Sequence, residues 1–196
     1  MTEREIFEIE NTRPHVVILG AGATIATIPN GDKNGNPCSV MHGFIHNLGL
    51  DTILATVKLN TKSENIEDIY SELYERGDEC KAVREQLEEA IFSYLSRLEL
   101  PAEITVYDEI ILALTQKDMI ATFNWDPLLI QAYNRARKLT TNLPKLTFLH
   151  GNVAAGYCER CGHFGALQRV KCDNCGAAYH RSPLLFPVKH KDYNSN

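Results

Sequence analysis

HVVILGAGAT, residues 15–24, joins a short run of β-branched and apolar residues to a glycine-rich turn. An apolar run that is stopped by glycine predicts a strand buried on both faces, as in a parallel sheet. Gly20 and Gly22 would let the backbone approach a pyrophosphate closely, and the amides that follow could donate to its oxygens. The third glycine of the dinucleotide fingerprint is missing, so a tight strand-to-helix turn without a ligand is an equally open interpretation.

Two amphipathic helices are predicted downstream, forming a helical hairpin over residues 63–100. Apolar residues recur at helical spacing in both, as expected for faces laid on a core. The first stripe comprises Ile66, Ile69, Tyr70, Leu73 and Tyr74, and the second comprises Val83, Leu87, Ala90, Ile91, Tyr94 and Leu98. Gly77 should end the first helix and Pro101 should stop the second.

Strands and helices continue to alternate up to residue 150. A helix at about 107–116 precedes a strand at 119–123, and a second helix runs to about residue 138 before a strand at 146–149. This order predicts a parallel α/β sheet.

Four cysteines form two Cys-x-x-Cys pairs separated by ten residues. They are Cys158, Cys161, Cys172 and Cys175. This spacing can close a tetrahedral site around one zinc ion, and four thiolates leave no open coordination position. Gly162 and Gly176 follow the pairs, where a turn around the metal needs a positive φ. We therefore predict one structural zinc per chain in a small zinc ribbon; the alternatives are a pair of disulfides or a redox site.

Length and charge bound the function classes. A chain of 196 residues is one domain, or one domain with a small insertion. We expect a core over residues 1–150, a ribbon over 151–180, and a return segment with a polar tail over 181–196. The net charge of −5 argues against a nucleic-acid binder that relies on neutralising phosphates. No apolar run is long enough to span a membrane, and zinc-type cysteines without a secretory signal indicate the cytoplasm.

Polar residues follow the predicted strands where each one ends. Asn124 and Asp126 stand after the second strand, and His150 follows the third. The carboxyl ends of strands in open α/β sheets form the edge at which ligands bind. Asp126 followed by Pro127 is also a typical helix start, so Asp126 could be a helix cap alone. Asn124 has no comparable structural role, and a lone histidine is more often structural than catalytic.

The order of these blocks resembles that of the sirtuins, NAD-dependent enzymes with a Rossmann-like core and a zinc ribbon. The matching segments are GAGAT at 20–24, TFNWD at 122–126, LHG at 149–151 and the two cysteine pairs. The resemblance implies a Rossmann-like parallel sheet that carries the helical hairpin and the zinc ribbon, with NAD as substrate or ligand.

The resemblance also implies roles for individual residues. The residues that would line the NAD phosphates are Gly20, Ala21, Gly22 and Thr24. Asn124 would position a ribose hydroxyl or a water at the nicotinamide–ribose bond, and Asp126 would bind the nicotinamide side. His150 would be the general base, because an imidazole can accept a proton near neutral pH.

Several segments depart from the pattern of the deacylating sirtuins. Their Gly-Ile-Pro-Asp-Phe-Arg segment reads Ile-Pro-Asn-Gly-Asp at residues 28–32, without the Phe and the Arg. Their Phe-Gly-Glu loop is replaced by Leu-Phe-Pro-Val at residues 185–188. Trp125, between the Asn and the Asp, looks more like divergent bacterial sirtuin-like domains, several of which hydrolyse NAD in antiphage defence. The chain stops soon after the cysteines, so the adenine side of an NAD site is expected to be open or to lie in further sequence.

Three functions remain open on the sequence. The first is cleavage of the nicotinamide–ribose bond of NAD, with antiphage defence as one role for such a hydrolase, and the second is NAD-dependent protein deacylation. The third is a catalytically silent module that binds NAD or ADP-ribose, or a zinc-held interaction domain. The sequence also leaves open a homo-oligomer or a partner protein.

Overall fold

A computed structural model describes residues 2–38, 43–167, 169, 171–186 and 188, and of residues 8–12 it describes the backbone alone. The predicted polar tail beyond residue 188 lies outside the described residues.

Eight α-helices and six strands make up the described chain. The helices are α1 (Glu3–Thr12), α2 (Ala21–Thr27), α3 (Phe44–Asn47), α4 (Asp51–Leu54), α5 (Ile66–Glu75), α6 (Lys81–Leu95), α7 (Val106–Ala113) and α8 (Leu128–Ala136), with a 3₁₀ turn at Gly77–Cys80. The strands are β1 (Val16–Leu19), β2 (Met119–Thr122), β3 (Lys145–Phe148), β4 (Ala155–Tyr157), β5 (Phe164–Ala166) and β6 (His180–Arg181).

A three-stranded parallel sheet forms the centre of the fold, in the order β1-β2-β3. Leu19 pairs with Thr122, and Thr122 pairs with Phe148, so the three carboxyl ends lie in register at one edge. A second sheet is antiparallel, in the order β5-β4-β6, and its strands flank the four cysteines along the chain. The predicted fold class, a parallel α/β core with helices and a small ribbon, is confirmed.

The prediction that β1 is buried on both faces is wrong. Val16 and Ile18 are 63% and 66% exposed, whereas Leu19 is 7% exposed. Within the described chain β1 is an edge strand that pairs with β2 alone, and the core covers one of its faces. An apolar run shows that a strand is compatible with burial, but it does not show how many layers cover the strand.

The hairpin helices lie close to their predicted positions and bury most of the predicted stripes. Ile66, Leu73, Leu87 and Ile91 are fully buried in the main core. Tyr74 is an exception, because its side chain is 51% exposed and the Arg84 guanidinium lies 5.2 Å from its ring centroid. One helical turn beyond Tyr70 the stripe therefore leaves the core and reaches the surface.

Asp118 fixes the end of the sheet that is opposite the carboxyl ends of its strands. Its side chain accepts hydrogen bonds from the backbone amides of His15 and Thr115, both at 2.8 Å, and its carbonyl accepts one from Lys145 N at 2.9 Å. Burial alone would raise the pKa of this carboxyl, but the bonds from His15 and Thr115 hold that pKa well below its usual value. One residue thus ties the starts of all three parallel strands together.

Candidate functional site

A cavity of about 250 Å³ lies at the carboxyl edge of the parallel sheet. Polar side chains from separate parts of the sequence line it: Thr24, Cys38, Glu67, Asn124, Asp126 and His150. Its apolar wall consists of Ala21, Phe44, Leu95, Phe123 and Trp125. The register of the parallel strands explains the convergence, because the loops after β1, β2 and β3 begin at the same level.

Asn124 is held by its amide nitrogen. Nδ2 lies within hydrogen-bond distance of Gly20 O (2.9 Å), Thr24 Oγ1 (2.8 Å) and Tyr107 OH (3.2 Å). Because the Gly20 carbonyl can only accept, the nitrogen must face it, and the orientation of the amide is fixed. No described residue donates to Asn124 Oδ1, so this oxygen is the group that Asn124 can offer to a ligand. The expectation that Asn124 lacks a structural role is wrong, since its amide ties the loop after β2 to the turn after β1.

Asp126 is buried, and both of its oxygens accept hydrogen bonds. Thr24 Oγ1 donates to Oδ2 at 2.7 Å and Leu128 N donates to Oδ1 at 3.0 Å. The second bond reaches the first residue of α8, but the N-cap of that helix is Pro127, so Asp126 lies one residue before the cap position that the Asp-Pro pair predicted. Burial raises the pKa of Asp126, although the Thr24 and Leu128 bonds oppose that rise. Asp126 therefore both bonds to the first residue of α8 and lines the cavity.

Tyr107 is a site residue that sequence reasoning missed. It is fully buried on α7, and its hydroxyl lies 3.0 Å from Thr24 Oγ1 as well as contacting the Asn124 amide. Burial raises the pKa of Tyr107, so the hydroxyl keeps its proton and can donate within this network. The sequence placed Tyr107 only at the start of a predicted helix, and no local motif connects it to Thr24 and Asn124, which are 83 and 17 positions away.

His150 lines the cavity from the segment that follows β3. Its ring makes an edge-on contact with Phe123, with ring centroids 4.9 Å apart, and its carbonyl accepts a hydrogen bond from Leu185 N at 2.9 Å. Gly151 makes this crossing possible, because it has a φ of +80° and an added Cβ would lie 2.3 Å from Pro183 O. The predicted return segment therefore passes directly beside His150.

The return segment also supports the cavity wall. Phe186 packs between Trp125 and Tyr70, with ring centroids 4.8 Å from each.

Asn152, which is fully buried, donates to the Asp126 carbonyl at 2.6 Å and accepts from Ala154 N at 2.9 Å. Sequence reasoning missed Asn152, although its place directly after LHG is a signal that could have raised the question.

Some residues of the glycine-rich segment contact the cavity or Asn124, and others are exposed to solvent. Ala21 and Thr24 line the cavity, Gly20 contributes its carbonyl to Asn124, and Gly22 is exposed at the start of α2. Neither glycine has a positive φ, and an added Cβ at either would meet nothing within 4 Å. Glycine at these two positions is therefore not required by the fold itself.

The four predicted metal ligands form one cluster away from the cavity. The sulfur atoms of Cys158, Cys161, Cys172 and Cys175 all lie within 4.8 Å of one another. The Cys158–Cys175 and Cys161–Cys172 separations are 3.4 and 3.6 Å, far longer than a disulfide bond. Four sulfurs bound to zinc at ~2.3 Å in a tetrahedron would lie ~3.8 Å apart, so the cluster could bind a zinc ion.

The two cysteine turns have matching backbone geometry. Gly162 N donates to Cys158 O and Gly176 N donates to Cys172 O, both at 2.8 Å. The two glycines have φ values of +68° and +73°. This confirms the reason given for a glycine after each pair and shows that both halves of the cluster are built alike.

The chain was compared with known proteins. No protein-family model matches it, and no curated protein does. Three solved structures of Sir2 proteins, the family that the sequence motifs resemble, match 95% of the chain. A Sir2 homologue in complex with NAD is 15% identical at a TM-score of 0.35, and a mutant Sir2 homologue in complex with ADP-ribose is 13% identical at 0.32. Sir2Tm bound to a propionylated peptide is 19% identical at 0.26.

The chain spans 62–65% of the length of these three proteins. No activity follows for this chain from similarity at these TM-scores, so a functional assignment has to rest on its own residues. No helix among the described residues is long and apolar enough to cross a membrane.

Proposed function

We propose that this chain binds NAD at the carboxyl edge of its parallel sheet and cleaves the nicotinamide–ribose bond with water. The cavity holds the nicotinamide riboside end of the dinucleotide. Its volume of about 250 Å³ is below the ~300–1,000 Å³ of pockets for drug-sized ligands, so it suits one end of NAD and not the whole molecule.

The composition of the cavity is the observation that carries this proposal. Three aromatic side chains (Phe44, Phe123 and Trp125) and two carboxyl groups line it, and no Lys or Arg is present among its described lining residues. Such a lining disfavours a phosphate group and suits a flat cation, because aromatic faces and carboxylates both attract positive charge. The nicotinamide ring of NAD is a flat aromatic cation.

The glycines after β1 support a place for the phosphates just outside the cavity. Gly20 and Gly22 need neither a positive φ nor extra space for the protein's own packing. A tight turn alone does not explain them. Close approach of a pyrophosphate to the backbone does, and it favours the ligand-binding interpretation of this segment.

The side chains around the cavity fit a hydrolytic step. Water attacks C1′ of the ribose, the C1′–N bond breaks, and its electron pair leaves with nicotinamide as a neutral molecule. His150 takes the proton of the attacking water, and Asn124 Oδ1 accepts a hydrogen bond from that water or from a ribose hydroxyl. Asp126 lines the nicotinamide side, and its tightly bonded carboxyl fixes the cavity wall.

We further propose that the cysteine cluster holds one structural zinc ion. The four thiolates would satisfy the tetrahedral coordination of the metal completely. The metal would therefore fix the ribbon and take no part in the cleavage.

The test is release of nicotinamide from NAD by the purified full chain, followed by chromatography. We expect turnover by the wild type and a loss of about two to four orders of magnitude in His150→Ala, the usual effect of removing a general base. Turnover that requires an acylated peptide would indicate a deacylase. Binding of NAD or ADP-ribose without any release would indicate a silent binding module. Equal activity of wild type and His150→Ala would refute the assigned role of His150.

A further inference from the structure

Among the described residues that line the cavity, Glu67 is the acidic residue contributed by the helical hairpin. It lies in the first turn of α5, where its amide donates to the Asn65 side chain at 2.9 Å and its carbonyl accepts from Ser71 Oγ at 2.7 Å. These bonds fix the backbone of Glu67 at the cavity wall. No described residue donates a hydrogen bond to its carboxylate or forms an ion pair with it.

The two carboxyl groups of the cavity are in different situations. Both oxygens of Asp126 are bonded to Thr24 and Leu128, and Asp126 is 5% exposed. Glu67 is half-buried, and no described residue bonds to its carboxylate oxygens. No described lining residue is a Lys or an Arg that could form a permanent ion pair with Glu67. Such a site attracts a cationic group on the ligand.

We propose that Glu67 is a specificity-determining residue that selects the oxidised, cationic nicotinamide ring over the reduced, neutral ring. The inference rests on the proposed function. The two redox forms of NAD share the same phosphates, riboses and carboxamide, but only the oxidised ring carries a positive charge. Shape and hydrogen bonding would separate the two forms poorly, whereas an unpaired carboxylate at the ring separates them directly by charge.

The experiment compares the affinities of three ligands: oxidised NAD, reduced NAD and ADP-ribose. ADP-ribose has the phosphates and both riboses but no nicotinamide. The affinities are measured by titration calorimetry on the full chain carrying His150→Ala, because this substitution prevents consumption of oxidised NAD. The variants are Glu67→Gln, which removes the charge, and Glu67→Asp, which keeps it. Glu75→Gln makes the same charge change at an exposed position of α5 and is the matched control.

We expect Glu67→Gln to weaken binding of oxidised NAD about fivefold, the upper range for a partly exposed charge pair, and to leave the other two ligands within about twofold. Glu67→Asp should retain most of the preference, and Glu75→Gln should change nothing. Thermal melting of each variant separates loss of charge from loss of folding.

The outcomes distinguish failure of this inference from failure of the proposed function. If the parent chain binds oxidised NAD but Glu67→Gln weakens all three ligands equally, or none, then Glu67 does not select the ring and the inference is overturned while the function stands. If the parent chain binds none of the three ligands, the proposed function fails, and the inference falls with it.

Discussion

Asn124→Asp replaces a side chain by one of nearly the same size, and we expect it to destabilise the protein more than truncation to alanine. The amide nitrogen of Asn124 faces the Gly20 carbonyl at 2.9 Å. In the variant an unprotonated oxygen would take its place, so two acceptors would face each other without a hydrogen. The Thr24 hydroxyl could turn towards the new carboxylate, but it would then abandon Asp126.

The magnitude follows from the bonds that are lost. Two N–H groups each contribute about 1 kcal/mol, and the opposed, partly buried oxygens add about 1 kcal/mol more. The total is about 3 kcal/mol at neutral pH, against about 2 kcal/mol for Asn124→Ala, which leaves no second oxygen. For a chain of this length each kcal/mol lowers the melting temperature by ~2–4 °C, so the aspartate variant should melt ~6–12 °C below the wild type.

The assay is urea-induced unfolding of wild type, Asn124→Asp and Asn124→Ala between pH 4 and pH 8. A protonated Asp at position 124 can donate to the Gly20 carbonyl, so folding raises the pKa of that carboxyl. The folded state then binds the proton more tightly than the unfolded state, and stability falls as pH rises through that pKa. The aspartate variant should therefore approach or exceed the alanine variant at acid pH and fall below it at neutral pH. Asn30→Asp, at an exposed turn position, controls for the added charge. A variant Asn124→Asp as stable as wild type at pH 7 would refute the assigned orientation of the amide.

Three further predictions test the site and the ribbon. Burial raises the pKa of Asp126 above its usual value near 3.8, so the folded state binds this proton more tightly and wild-type stability falls as pH rises from about 4. In urea titrations Asp126→Asn should therefore gain stability relative to wild type over that pH range. A stability difference that does not change with pH would contradict this. Tyr107→Phe should cost about 1–2 kcal/mol and slow nicotinamide release by loosening Asn124, whereas Tyr74→Phe, at a half-exposed ring, should do neither; thermal melts and rate measurements decide. Elemental analysis should find one zinc per chain, and Cys172→Ser should lose the metal and unfold at lower temperature; a metal-free chain of unchanged stability would rule out the structural role.

The loop after β2 shows how far local patterns reach. Asp126 followed by Pro127 predicted a helix start, and the Asp126 side chain does accept from Leu128 N. That interaction spans two residues, so the chain order alone specifies it. The bond between Thr24 and Asp126 spans 102 residues, and no periodicity or spacing rule reports such a contact. The role of Asn124 was misjudged for the same reason, because all three partners of its amide are distant in sequence.

The sequence distinguished surface residues from core residues only in part. The apolar composition of β1 is compatible with burial, but the exposure of Val16 and Ile18 depends on which layers other segments build. The stripe of α5 likewise predicted a buried Tyr74, but its side chain is 51% exposed. Periodicity identifies the face of an element that can be buried, whereas the curvature and extent of the opposing surface decide how much of it is buried.

The sequence by itself determined the parallel α/β order, the two glycine-supported cysteine turns, and the placement of Asn124, Asp126 and His150 after strands. These features depend on spacing over a few residues, where the covalent chain limits the possible geometry. Only the tertiary structure decided that Glu67 and Tyr107 belong to the same site, since helices from different parts of the chain bring them there. It also decided which atoms remain for a ligand: hydrogen bonds occupy the Asp126 oxygens and the Asn124 nitrogen, whereas no described residue bonds to the Asn124 oxygen or to the Glu67 carboxylate.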